Sequence, residues 1–69
     1  MEEGFSELSR YILEAAKRDM VNNVGRVLIE ELLSMGYTRS DVTRALQELQ
    51  RKYRVVVVGD YIKVLFDER

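Results

Sequence analysis

Arg39, Ser40, Thr43, Arg44 and Gln47 are the residues of this sequence whose types and spacing point to chemistry. At about 100° per residue they fall, with Gln50 and Arg51, within an arc of about 140° on one side of a helix. Asp41 and Glu48, the acids of the same stretch, fall outside that arc at about 180° to 200°. Arginine can bind a guanine edge bidentately and glutamine an adenine edge, and serine or threonine hydroxyls can serve bases or phosphates. That is the chemistry of holding a nucleic acid, not of breaking a bond. Arg51, Lys52 and Arg54 follow at the end of the stretch, where they would point towards phosphates. The same residue types also clothe ordinary solvated helices, so a basic face is a footprint and not a proof.

Charge narrows the choice. The 69 residues hold 11 Lys and Arg against 12 Asp and Glu, a net charge of -1, which argues against a protein that coats DNA by bulk charge. Residues 38–54 carry five basic and two acidic side chains, against four and seven in residues 1–37 and two and three in residues 55–69. The basic stretch is therefore local.

Other chemistries drop out. There is no Cys and no His, which excludes disulfides, zinc-finger ligation and a Cys or His nucleophile or base. Glu30 and Glu31 are adjacent, and neighbours on a helix diverge by about 100°, so they do not converge as a catalytic carboxylate pair must. Gly25 stands alone, without the spacing of a phosphate loop. The expectation is a non-enzyme with no metal, no cofactor and no small-molecule substrate. No apolar run approaches the roughly 20 residues of a membrane span. The acidic start MEEGFSE lacks the basic and apolar regions of a secretory signal, and the expected location is cytoplasmic.

The elements that must position the basic stretch can be read in turn. Phe5, Leu8, Ile12 and Ala15 or Ala16 recur at helical spacing, with Leu13 and Met20 widening the stripe, and predict a first helix over roughly Ser6 to Arg18. Asn22-Asn23 reads as a loop and helix start, with a short strand open near Val21. Val24, Val27, Leu28, Leu32 and Met35 predict a second helix from Val24 that stops at Gly36, a residue suited to the left-handed C′ position. Thr38 and Asp41 have the spacing of a capping box, and a third helix over 38–53 follows, with Val42, Ala45, Leu46, Leu49 and Tyr53 on its buried side. Two helices joined by about four residues including a glycine have helix-turn-helix spacing.

The segment YRVVVVGDYIKVLF predicts a hairpin with Gly59-Asp60 as its two-residue turn. Setting Val58 opposite Tyr61 puts Val57 with Ile62, Val55 with Val64 and Tyr53 with Phe66 on one apolar face. The other face holds Val56, Val58, Tyr61 and Leu65 with Arg54 and Lys63. That apolar outer surface is a candidate protein interface, through homodimerisation or docking into a larger assembly, unless the N-terminal helix or tail covers it. The strand edge near Tyr61 to Phe66 could pair instead, unless the Val21 segment covers it. A turn tipped by Asp60, without Lys or Arg, is poorly equipped to grip phosphate.

The order helix, short strand, helix, turn, helix, hairpin resembles the winged-helix (winged helix-turn-helix) superfamily over nearly the whole chain, carried by ELLSMGYTRSDVTRALQEL and VVVVGDYIKVLF. Within it the layout resembles the C-terminal winged-helix domains of archaeal MCM replicative helicases, which share a Gly-aromatic turn, an acid-capped helix and a Gly-Tyr-hydrophobic wing strand in similar order. The resemblance implies an α+β fold, one domain over 1–69, with three helices followed by a two-stranded antiparallel hairpin. It also implies double-stranded DNA as partner, in a small transcriptional regulator or a replication accessory module with helix 38–53 as recognition helix. The alternative is a protein-interaction winged helix with little or no DNA binding. The short, acid-tipped wing departs from the family's DNA-gripping members and leaves the third helix carrying the contact.

Overall fold

A computed structural model describes residues 5–66. Its order is α1 (Glu7–Arg18), β1 (Val24–Leu28), α2 (Ile29–Ser34), α3 (Arg39–Leu49), β2 (Arg54–Val58) and β3 (Tyr61–Leu65). This is a small α+β domain of three helices and one antiparallel sheet with strand order β1-β3-β2. No helix among the described residues is long and apolar enough to cross a membrane.

α1 begins where Ser6 caps it, its hydroxyl accepting from the Ser9 N–H at 3.3 Å. It buries Leu8, Ile12, Leu13 and Ala16. Met20, expected to widen that stripe, is exposed, because the helix ends at Arg18 and the chain turns away.

The largest departure from the sequence reading comes next. Val24–Leu28 is a strand and not the first turns of the second helix, so the two-stranded hairpin becomes a three-stranded sheet. The short strand expected near Val21 is only a bridge, Val21 and Val24 exchanging backbone hydrogen bonds of 2.9 and 3.0 Å. Asn22 and Asn23 decide this. Both have positive φ, 55° and 66°, and consecutive left-handed residues make a tight reversal instead of a helix start. Gly25 then faces inward against α1, where a Cβ would lie 2.2 Å from the Ala16 carbonyl oxygen. Only a residue without a side chain lets this strand lie so close to α1.

α2 is correspondingly short, Ile29–Ser34, and buries Leu32. Met35, expected in the second stripe, is exposed beyond its end. Gly36 occupies the left-handed position at φ 104°, and the Gly36 and Tyr37 N–H groups return to the Leu33 and Leu32 carbonyls, so the helix stops where the glycine predicts. Residues 35–38 join α2 to α3.

The hairpin has the expected register, Arg54↔Leu65 through Val58↔Tyr61, and Gly59 takes φ 58° in its turn. Tyr53 and Phe66 meet edge to face, ring centroids 5.5 Å apart. β1 lies along the other side of β3, Val24↔Leu65 through Leu28↔Tyr61, so the Tyr61 to Phe66 edge is covered by Val24–Leu28 and not by the Val21 segment. Val27, Val55, Ile62 and Val64 form the sheet's contribution to a core completed by Leu8, Ile12, Leu13, Ala16, Leu32, Val42, Ala45 and Leu49. Burial of this apolar surface, at about 25 cal/mol per Å², is what holds a chain without disulfides together.

Candidate nucleic-acid interface

The capping box at the start of α3 is complete. The Asp41 N–H donates to the Thr38 hydroxyl at 3.1 Å, and the Thr38 N–H donates to the Asp41 carboxylate at 2.9 Å. Val42, Ala45 and Leu49 then turn into the core, with Leu46 half-buried. This rotation leaves Arg39, Ser40, Thr43, Arg44 and Gln47 exposed, and together they line an open depression of about 340 Å³.

Both acids of the helix are engaged elsewhere. The backbone N–H of Thr38, then its hydroxyl, and then the charge of Arg44 hold the Asp41 carboxyl below the usual aspartate range. Glu48 reaches across to α1, where its Oε1 accepts from the Ser6 N–H at 2.8 Å and from the Ser9 hydroxyl at 2.7 Å. Those bonds, in that order, with Arg51 beside them, lower its carboxyl as well. Ser9 is fully buried, and its hydroxyl also lies 3.3 Å from the Ala45 carbonyl. The Ser6-Ser9-Glu48 cluster was not anticipated from the sequence. Its one signal is a serine on the apolar stripe of α1, where a buried hydroxyl requires a partner.

The remaining predicted DNA contacts are not brought into the depression. The third helix ends at Leu49, not at 53, because the Arg51 and Lys52 N–H groups fold back on the Glu48 and Leu49 carbonyls in a closing turn. Arg51 and Lys52 lie on that turn, and Arg54 begins β2. Gln50 leaves the basic arc too, its amide donating to the Val55 carbonyl at 3.4 Å. A second cavity, about 230 Å³, lies between the start of α1 and α3 and is lined by Glu7, Tyr37 and Asp41 among others. Arg44 borders both cavities.

The predicted protein interface, Val56, Val58, Tyr61 and Leu65, lies on the outer face of the sheet, away from the core. β1 extends this face with Val24, Arg26 and Leu28, the last 53% exposed. Arg26 stands over the Tyr61 ring, 5.9 Å from its centroid, and pairs across strands with Lys63. The nine residues of this outer face include three cations, Arg26, Arg54 and Lys63, and no acid. Arg26 is hidden in the sequence because the apolar residues around it also have helical spacing. Alternation of inward Gly25 and Val27 with outward Arg26 is the signal that finds it. The N-terminal tail proposed as a cover for this face lies, in its first four residues, outside the described part of the chain.

Comparison of the chain with protein-family models, with curated proteins and with solved structures finds no significant match.

Proposed function

We propose that this chain is a DNA-binding module of winged-helix type in which α3 enters the major groove. One observation carries the reading: five side chains suited to base edges and phosphates meet at one open depression, and both acids of their helix are bonded elsewhere. Arg39, Ser40, Thr43, Arg44 and Gln47 approach bases, and Arg51, Lys52 and Arg54 approach phosphates from the following turn and strand. A small transcriptional regulator or a replication accessory module is the role such a domain fills. Fluorescence anisotropy with duplex DNA over a salt series tests it. Binding should weaken steeply as salt rises, because each phosphate contact releases a counterion. Absence of binding at low salt overturns the proposal, as does binding indifferent to Arg39→Ala with Arg44→Ala.

The exposed Val56, Val58 and Leu28 on the outer sheet face favour a second reading, a protein-docking module with little or no DNA binding. Here Tyr61→Glu should abolish association with the partner without changing the fold. Association that survives this substitution removes the outer face as the docking surface.

A further inference from the structure

We infer that β2 is a pairing edge for a second copy of this chain, the two strands running antiparallel about Val56 to join the sheets into one of six strands. The hydrogen-bond phase of the sheet exposes the edge. Phe66 donates its N–H to Asn23, and the Asp60 carbonyl accepts from Ile29. Alternation along β3 therefore turns Ile62 and Val64 towards β1, and Tyr61, Lys63 and Leu65 towards β2. Arg54, Val56 and Val58 are thus the members of β2 bonded to β3, and Val55 and Val57 point their N–H and carbonyl groups away from the sheet. Among the described residues, the only hydrogen bond there is the one from the Gln50 amide to the Val55 carbonyl, which at 3.4 Å is long.

The two edges of the sheet differ. β1 is obstructed: Val24 already bonds to Val21, a charged Arg26 stands mid-strand, and α2 begins directly after Leu28. After Arg54, β2 has four consecutive valines with no charge and no proline among them, so nothing within its middle and end protects the edge as Arg26 does in β1. Val57 marks the gap most clearly. It lies on the inner face in the same row as Val27 and Ile62, which are 3% and 0% exposed, yet it is 48% exposed because no strand among the described residues flanks it on its far side.

A second β2 fits this edge in one register. Antiparallel pairing about Val56 sets Val55 opposite the partner's Val57 and the reverse, and each of these pairs can exchange both of its N–H···O bonds. Arg54 then faces the partner's Val58, so the two Arg54 side chains stay at opposite ends. Continued along the chain, the same register brings the Asp60 end of one strand to the Lys52 end of the other, twice by symmetry. A strand with a basic start and an acidic finish is complementary to itself only in this antiparallel sense. The partner's Val57 N–H replaces the long Gln50 bond. Pairing at this edge requires no DNA.

The test uses the absence of cysteine from the chain. In this register residue 56 faces its own copy in a pair without mutual hydrogen bonds, where the Cα separation is about 4.5 Å and a disulfide can close. Val56→Cys should oxidise readily to a covalent dimer, whereas Val58→Cys, whose two copies lie four positions out of register, should not. Equal rates for the two overturn the assignment. Light scattering of the unmodified chain from micromolar to millimolar should show the mass rising towards twice the monomer's, and a monomer throughout overturns it. Val57→Pro removes an N–H that β3 does not use and should leave the chain folded by circular dichroism but monomeric. Val57→Lys should do the same by charge and stands in if the proline unfolds the strand. A dimer that persists in the folded variants places the contact elsewhere.

Discussion

α3 and the outer face of the sheet both present a surface of cations with no acid among its residues, but they reach that state by different means. The sheet face does so by composition, since no acid stands among its nine residues. The helix contains two acids that its own periodicity places off the basic arc, and hydrogen bonds hold them there: Asp41 in its own cap and Glu48 on the first turn of α1. The difference shows that a basic helix face can be held clear of its own acids by hydrogen bonds, one set within the cap and one across to α1. It depends on Ser6, Ser9 and Thr38, none of which carries charge.

The harshest way to break this comparison is to disturb the seat both regions share. Gly25→Ala drives a Cβ into the Ala16 backbone and should cost about 2–3 kcal/mol in urea unfolding, with both faces lost in one transition. Removing charge separates them. Arg39→Ala with Arg44→Ala should weaken duplex binding by about 10- to 100-fold by anisotropy. Arg26→Ala with Lys63→Ala, on the sheet, should change it by less than about threefold at the same salt. A smaller effect comes from releasing Glu48. Ser9→Ala removes a buried hydroxyl bond and should cost about 1–2 kcal/mol in thermal unfolding, together with a modest loss of DNA affinity as the carboxylate is freed. Thr38→Ala should cost about 1 kcal/mol through the lost cap and free Asp41 in the same way.

Acid titration sharpens the contrast further. Both carboxyls are held below their ordinary values, 3.8 for aspartate and 4.5 for glutamate. The unfolded chain therefore binds more protons there than the folded one, so their stabilisation is complete above about pH 4.5 and is lost as pH falls through the lower folded values. Glu48→Gln should flatten the acid limb of the stability curve.

Much of α3 was legible because its signals are local. Thr38 and Asp41 bond within one turn, Gly36 needs only its own backbone, and alternation along the hairpin fixes register without reference to any other element. β1 was not legible. Val24, Val27 and Leu28 have helical spacing, whereas in the strand Val24 and Leu28 face outward and Val27 inward, and Asn22-Asn23 can cap a helix or reverse the chain. The choice is made by distant partners, β3 on one side and Ala16 on the other. The candidate site divided in the same way. The five residues within α3 were found together, while the removal of Gln50 and the anchoring of Glu48 required elements that lie far away in the sequence or past the helix end.

The order of strands in the sheet has a consequence for how the protein is made. β3 is the central strand, yet among the described residues it is the last element to be synthesised. While the ribosome is still extending the chain towards Tyr61, β1 and β2 have no strand to pair with, and the places of Ile62 and Val64 in the core are empty. The helices can form early, but the sheet cannot close until that late segment emerges. β2 and β3 are separated only by Gly59-Asp60 and emerge together, so it is β1, made well before them, that waits longest without its partner in the sheet.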